Sequence, residues 1–435
     1  MTDQTRRQVI RGAAASAIST SISRVLGAND RVNIAIVGVG GRGTDHLRNY
    51  ITLPDARIAA VVDVNQAAQE RAQALIEKEQ GYKPKAYYDM REAFADRSID
   101  AVSIATPNHW HVLSSIWAIQ AGKDVYVEKP VCHNIREGRQ LLATARKYGK
   151  MVQVGQQSRS LAHKQKAMRL LREGVIGEVY MAKGLCFKRR QSIGHKPDEP
   201  VPVGLNWDMF LGPAPMRPYN ELRFRYNWHW FWDTGNGDIG NQGVHEMDIC
   251  LWGLGKRTMA RSVVSTGGKF VYRDDQETPN TQIATFDFGD ARMIFEVRGL
   301  ITAEEGGLKC RGNHTIGNVF LGSEGYLAID SNGFQVFKGE DHKLTMDEKP
   351  VEKIWDTAGH MANFLKAVRS RRPEDLNCDI ETGVIAASHC HLANISYRTG
   401  RKLAFDPAKW RFVNDPEADK LLTRQYRAPY LVPEI

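Results

Sequence analysis

The chain reads as an α/β protein in two parts. A doubly wound parallel sheet of the Rossmann type comes first, followed by an α+β part with a large open, mostly antiparallel sheet. Three observations predict this. The apolar run from Val32 to Val37 meets Gly38-x-Gly40-x-x-Gly43 without a gap, which is how a buried parallel strand turns into a helix. Strand and helix signals then alternate to about residue 156, and beyond it longer strands and loops take over. At 435 residues, 42% apolar and 25% charged, the chain suits two soluble domains better than one core.

In order, residues 1–28 read as an address. Thr5-Arg6-Arg7-Gln8-Val9-Ile10-Arg11 resembles a twin-arginine export signal, and a small-residue stretch from Gly12 to Ser23 follows. Val9 stands where that signal usually has Phe, and Arg24 interrupts the stretch. The expectation is a periplasmic protein exported already folded; a basic tail on a cytoplasmic protein is the alternative.

Residues 31–156 form the first domain. Gly38 allows the tight turn, Gly40 lets a backbone approach a pyrophosphate, and Gly43 lets the next helix lie close on the strand. Gly41 and Arg42 share this loop, and the helix N-terminus behind it offers free N–H groups to phosphates. The second strand, Arg57-Ile-Ala-Ala-Val-Val-Asp63, ends in an acid 20 residues past Gly43, where a ribose-binding carboxylate is expected. Its charge repels a 2′-phosphate, which favours NAD over NADP. A plainer role for Asp63 is to cap the helix starting near Gln66.

Strands follow at 100–106, 124–128 and 151–155, separated by amphipathic helices at 109–121 and 134–148. Ligands in such sheets bind beyond the carboxyl ends of the strands. Two motifs sit there: Thr106-Pro107-Asn108-His109-Trp110-His111 and Glu128-Lys129-Pro130.

With the glycine fingerprint, these motifs resemble the glucose–fructose oxidoreductase / inositol dehydrogenase / rhizopine catabolism (Gfo/Idh/MocA) family. The resemblance covers about Val32 to Leu403. It implies that Lys129 lies by the nicotinamide and substrate, after Glu128 and before a Pro130 whose peptide bond is commonly cis. It also implies that Thr106, Asn108 and His111 lie toward the nicotinamide end. The plain alternative for Lys129 is a solvated lysine paired with Glu128.

Residues 157–403 form the second domain. A helix is expected at 164–173, a strand at 177–187, a mobile polar loop at 188–203 and a short helical turn at 206–215. Tyr226-Asn-Trp-His-Trp-Phe-Trp232 is dense in rings, which suits core or an oligomer surface and, less often, sugar stacking. In Asn241-Gln-Gly243-Val-His245 the family pattern of Asp, Gly and His at offsets 0, 2 and 4 is retained except that Asp has become Asn. One helical turn then puts Asn241 and His245 on one face, with His245 as candidate base. Asn241 can hold a hydroxyl but cannot carry the charge. A helix-packing role is the bland account of His245.

Residues 281–288 and 291–297 alternate about Gly289-Asp290 as a hairpin, with further strands near 317–321 and 326–329. A sheet with one face covered by helices leaves the other for a homodimer or homotetramer. Helices at 360–370 and 380–399 and a C-terminal extension at 404–435 that wraps back complete the chain.

The composition excludes several classes. The net charge of +9 contains no Lys/Arg block interleaved with aromatics, so nucleic acid is a poor partner. Outside the first segment, no run approaches the ~20 apolar residues of a membrane span. The six cysteines are scattered, and the alternate-residue pairs His109/His111 and His389/His391 are poor chelates on a helix, so no metal is expected. The reading is an NAD(P)-dependent oxidoreductase acting on a secondary hydroxyl of a sugar, glycoside or cyclitol. Lys129 and His245 flank the carbinol carbon, and Asn241 lies beside them. Two alternatives are a redox-neutral NAD-dependent glycosidase or lyase and a non-catalytic nucleotide- or sugar-binding protein.

Overall fold

The computed structural model describes residues 31–350 and 357–434; the twin-arginine segment lies outside them. The first sheet has six parallel strands in the order β3-β2-β1-β4-β5-β6. They are β1 (Val32–Val37), β2 (Ala56–Val62), β3 (Lys85–Tyr87), β4 (Ala101–Ile104), β5 (Asp124–Val127) and β6 (Val152–Val154). The order reverses between β1 and β4, and a crevice opens there at the carboxyl ends. β1, β4, β5 and β6 are buried almost throughout because helices cover both faces, which is why they read as apolar runs rather than alternating ones.

The second sheet has ten strands in the order β14-β13-β12-β11-β7-β10-β9-β8-β15-β16. They are β7 (Val179–Lys188), β8 (Ser262–Gly268), β9 (Thr281–Asp287), β10 (Arg292–Arg298), β11 (His314–Gly322), β12 (Gly325–Asp330), β13 (Gly333–Lys338), β14 (Lys343–Glu348), β15 (Leu403–Asp406) and β16 (Arg411–Phe412). Only β7 and β10 pair in parallel; the other neighbours are antiparallel. β9 and β10 form the expected hairpin, with Asp287 opposite Arg292 and Gly289 at φ +97° in the turn.

The helices Gly243–Gly253 and Ile380–Thr399 line one face of this sheet, where Met293, Phe295, Phe286 and Phe320 pack against them. Both helices are buried nearly all round, and the second also packs on the helix Ile135–Tyr148 of the first domain. One apolar core therefore runs from Val37 and Ile104 through Val384 to Phe295. The contact is close: a Cβ on Gly138 would meet the Val384 side chain at 2.9 Å, and one on Gly383 would meet that of Val154 at 2.4 Å.

One expectation needs correction. The helix Thr357–Ser370 belongs by packing to the first domain, where Met361 and Phe364 join Ile34, Ile36 and Tyr126 in a second core. The segment 189–203 lacks helix and strand but is tied down, Arg190 to Asp238 and Ser192 to Asp274. Fixed charge pairs, not polarity alone, decide how a loop sits.

The C-terminal extension does wrap back. Arg427 pairs with Asp208 at 2.5 Å, Tyr430 packs edge-on against Trp110, and Arg424 donates to the carbonyls of Asp233 and His109.

Candidate active site

The glycine turn at the end of β1 is shaped by contacts that exclude side chains. Gly38 sits at φ +81°, and a Cβ on Gly43 would fall 1.8 Å from the Gly38 carbonyl oxygen. A Cβ on Gly40 or Gly41 would meet nothing within 4 Å, so the loop faces open space. The helix Gly41–Ile51 behind it has no side-chain cap and no acid in its first turn, leaving its N–H groups and positive end to that space. This suits a pyrophosphate. Asp63, just past β2, accepts Val39 N–H at 2.8 Å and Asn65 N–H at 2.9 Å, so this carboxylate braces the glycine turn. Burial raises its pKa, and these two N–H groups oppose the rise.

Glu128 is the hub beneath the crevice. Its Oε1 accepts from Arg42 Nε at 2.8 Å, His46 Nε2 at 3.0 Å and Gln157 Nε2 at 3.1 Å, and its Oε2 accepts from Lys129 N–H at 3.2 Å. Burial alone would raise its pKa, but Arg42 and His46 hold it well below the usual carboxylate range. His46 is itself fully buried, with Nδ1 2.8 Å from Ser103 Oγ. Sequence reasoning missed His46; it lies one turn after Arg42 on the same helix, and that spacing is the signal that could have found it.

Lys129 leaves this hub through a cis bond to Pro130 and crosses to the second domain, where Nζ donates to the Asn241 carbonyl at 2.8 Å. Burial lowers its pKa to about 8; the Arg42 and Arg190 charges add to this and Glu128 opposes it. His245 lies close enough for the Lys129 charge to act on it. Burial first, then that charge, keep His245 well below the usual histidine value, and its Nδ1 is buried with no hydrogen-bond partner among the described residues. Lys129 and Asn241 are thus brought into contact from two domains, and His245 opens the next helix four residues on.

The Asn241 side chain does not turn toward His245. It donates from Nδ2 to Tyr226 Oη at 2.9 Å and lies 3.4 Å from Asp238 Oδ1. Asn241 ends one short helix (Gly237–Asn241) and His245 belongs to the next (Gly243–Gly253), the break falling at Gln242. Asp238 in turn takes a two-pronged ion pair from Arg190, at 2.8 and 2.6 Å. Burial works against the Arg190 charge, and the Asp238 pair more than offsets it, raising the pKa. Sequence reasoning missed Asp238, Arg190 and Tyr226. The i, i+3 relation of Asp238 to Asn241 was a readable signal for one of them, and nothing local marks the other two.

Asn108 and His111, expected at the nicotinamide end, have their side chains turned inside the protein. Asn108 Nδ2 donates to Asn236 Oδ1 at 3.0 Å, and the ring of His111 lies between the carbonyls of Pro130 at 2.7 Å and Thr106 at 2.8 Å. His111 ties together the loops after β4 and β5, and Asn108 ties the first of these to the second domain, so both shape the crevice indirectly. Thr106 differs: its Oγ1 is buried beside the Gly38 turn without a hydrogen-bond partner among the described residues. His109, His389 and His391 are each engaged with backbone groups of other segments.

Residues 32–156 match the model of the oxidoreductase family's NAD-binding Rossmann fold. Residues 165–276 and 323–432 match that of its C-terminal alpha/beta domain. The chain belongs to the Gfo/Idh/MocA oxidoreductase family. The open glycine loop, the free helix end, Asp63 and the Thr106 hydroxyl fit NAD, the cofactor of that Rossmann fold.

A glycosyl hydrolase family 109 protein of Shewanella sp. (strain W3-18-1) is 29% identical over 154 residues, 34% of each chain. An alpha-N-acetylgalactosaminidase of Shewanella oneidensis is 29% identical over 152 residues, 34% of this chain and 33% of its own. The match thus spans about a third of the length of these curated relatives. Among solved structures, the WlbA dehydrogenase from Bordetella pertussis in complex with NADH and UDP-GlcNAcA has a TM-score of 0.62 at 19% identity, covering 86% of this chain and 99% of its own. A levoglucosan dehydrogenase in complex with NADH and levoglucosan has a TM-score of 0.65 at 17% identity, with the same coverage. At such identities the likeness is one of fold.

Proposed function

We propose that this oxidoreductase transfers hydride between NAD and a secondary hydroxyl of a sugar, glycoside or cyclitol, with His245 and Lys129 at the carbinol carbon. The observation that carries this reading is the hydrogen bond from Lys129, just past the carboxyl end of β5, to the Asn241 carbonyl four residues before His245, whose ring feels the Lys129 charge. NAD, when bound, supplies the hydride acceptor. A neutral imidazole is the basic form, so His245 takes the hydroxyl proton; the Lys129 ammonium polarises the same oxygen. The burial that keeps His245 neutral keeps it ready as a base at neutral pH.

Replacing His245 by Ala is expected to slow turnover by roughly 10²–10⁴-fold, the usual range for a lost acid–base group, while NAD affinity changes little. Unchanged turnover removes His245 from the mechanism.

A second reading is favoured by the glycosyl hydrolase relatives and by Asn241 at the Asp offset: redox-neutral cleavage of a glycoside through oxidation, elimination and reduction. Following nicotinamide absorbance and aglycone release together separates the two, since cleavage without net NADH supports the second.

Two further features of the reading are that the protein works in the periplasm after twin-arginine export and that it assembles as a dimer or tetramer through the open face of the ten-stranded sheet. Exposed Val264 and Ile283, on the face of β8 and β9 turned away from the helices, support the second feature. Fractionation and light scattering test them.

A further inference from the structure

The Tyr226 hydroxyl is held in an unusual way for a ring at the crevice edge. Asn241 Nδ2 lies 2.9 Å from it and Arg190 Nη1 lies 3.1 Å from it, and both groups are donors. A phenol has one proton to give and accepts through its lone pairs. With both near partners donating, Tyr226 Oη accepts twice and its own O–H points elsewhere. Its ring is half exposed, while Asn241, Trp230 and His229 around it are buried.

The orientation of the Asn241 amide is settled by its second neighbour. Asp238 Oδ1 is 3.4 Å from Nδ2, and a carbonyl oxygen turned toward that carboxylate would be repelled, so the NH₂ faces Asp238 and Tyr226. Asp238 is in turn fixed by Arg190, whose guanidinium also stacks over Tyr226 and Trp230. The same Asn241 holds Lys129 Nζ on its backbone carbonyl. One residue therefore positions both the ammonium and the phenol.

We propose that Tyr226 is a further substrate-contacting residue, a hydroxyl that donates a hydrogen bond to a neutral oxygen of the bound sugar, and that Asn241 is the positioning residue that aims it. This gives the departure from Asp at position 241 a physical sense. A carboxylate there would accept the Tyr226 proton and turn it inward; an amide donates and leaves the proton free for the ligand. The inference rests on the sugar-oxidoreductase reading for its ligand class and on the hydrogen-bond pattern for its geometry.

The test is a double-mutant cycle of Tyr226→Phe and Asn241→Asp, read as kcat/KM on whichever sugar or cyclitol of a panel the protein oxidises, with NAD affinity measured in parallel. Each single variant is expected to lose roughly tenfold or more in kcat/KM, the scale of one hydrogen bond, with NAD affinity unchanged. The double variant is expected to lose clearly less than the product of the two single losses, because the part of the aspartate's harm that runs through the captured hydroxyl is absent once the hydroxyl is gone. Additive losses, or a Tyr226→Phe variant equal to the parent, overturn the proposal. Should the parent oxidise no member of the panel, the function proposed above fails. The hydroxyl is then read by calorimetric binding of glucose and myo-inositol to the NAD-loaded protein, where equal behaviour of parent and Tyr226→Phe overturns the tyrosine assignment.

Discussion

At the residue scale, the site depends on how burial and neighbouring charges set the state of two side chains, Lys129 and Glu128. Lys129, lowered to about 8, is mostly protonated at pH 7 and loses its proton as the pH passes upward through that value. If the ammonium polarises the substrate oxygen, kcat/KM in the oxidation direction is flat below about pH 8 and falls above it; a profile still rising through pH 9 contradicts that role. Glu128 is held below its usual value, so its stabilising contribution is full above the unfolded carboxylate value and is lost as the pH falls through the folded one. Its replacement by Ala strands Arg42, His46 and Gln157 and is expected to cost about 3 kcal/mol or more in urea unfolding at pH 7. A change below about 1 kcal/mol would show that the hub is dispensable.

Much of this was unreadable residue by residue. Lys129 and Glu128 were singled out by the likeness of Glu128-Lys129-Pro130, at a strand end, to the family's motif, and Asp63 by its spacing from Gly43, which one helix and one strand set. Tyr226, Arg190 and Asp238 come from separate segments and meet only through the fold.

At the element scale, legibility followed how local the determining contacts are. The helices at 135–148 and 380–399 carry their own caps, Asn134 and Asp379 accepting N–H groups at one end and Gly149 and Gly400 closing the other. The β9–β10 hairpin is written in two turn residues. The strands β13 and β14 and the docking of the helix Thr357–Ser370 on the first sheet were not anticipated, because long-range packing decides them. The glycine loop is the element with the sharpest test. Gly43→Ala puts a methyl 1.8 Å from the Gly38 oxygen, so the turn must open; NAD affinity is expected to fall at least tenfold in calorimetry, with folding weakened by about 1–3 kcal/mol. Gly41→Ala, whose methyl meets nothing, is the control and is expected to fold as stably as the parent. Equal NAD affinity in the Gly43→Ala variant would remove the turn from cofactor binding.

At the scale of the whole molecule, the two sheets share one core through the helices at 135–148 and 380–399, and the C-terminal extension ties Asp208 and Trp110 together across the seam. The crevice is therefore framed by parts that move together rather than by two loosely tethered domains. The parallel sheet was legible from its apolar runs and the antiparallel one from its alternation. That the lysine of one domain ends on the asparagine carbonyl of the other was not.

The central claim is that a sugar carbinol meets NAD between Lys129 and His245. Its most direct test is single-turnover rapid mixing of NAD-loaded protein with a panel of pyranosides and cyclitols, followed by nicotinamide absorbance. The parent is expected to form reduced nicotinamide with at least one member, and Lys129→Met to do so at least a hundredfold more slowly with NAD still bound. No reduction with any member while NAD is bound, or an equal rate in the variant, contradicts the account.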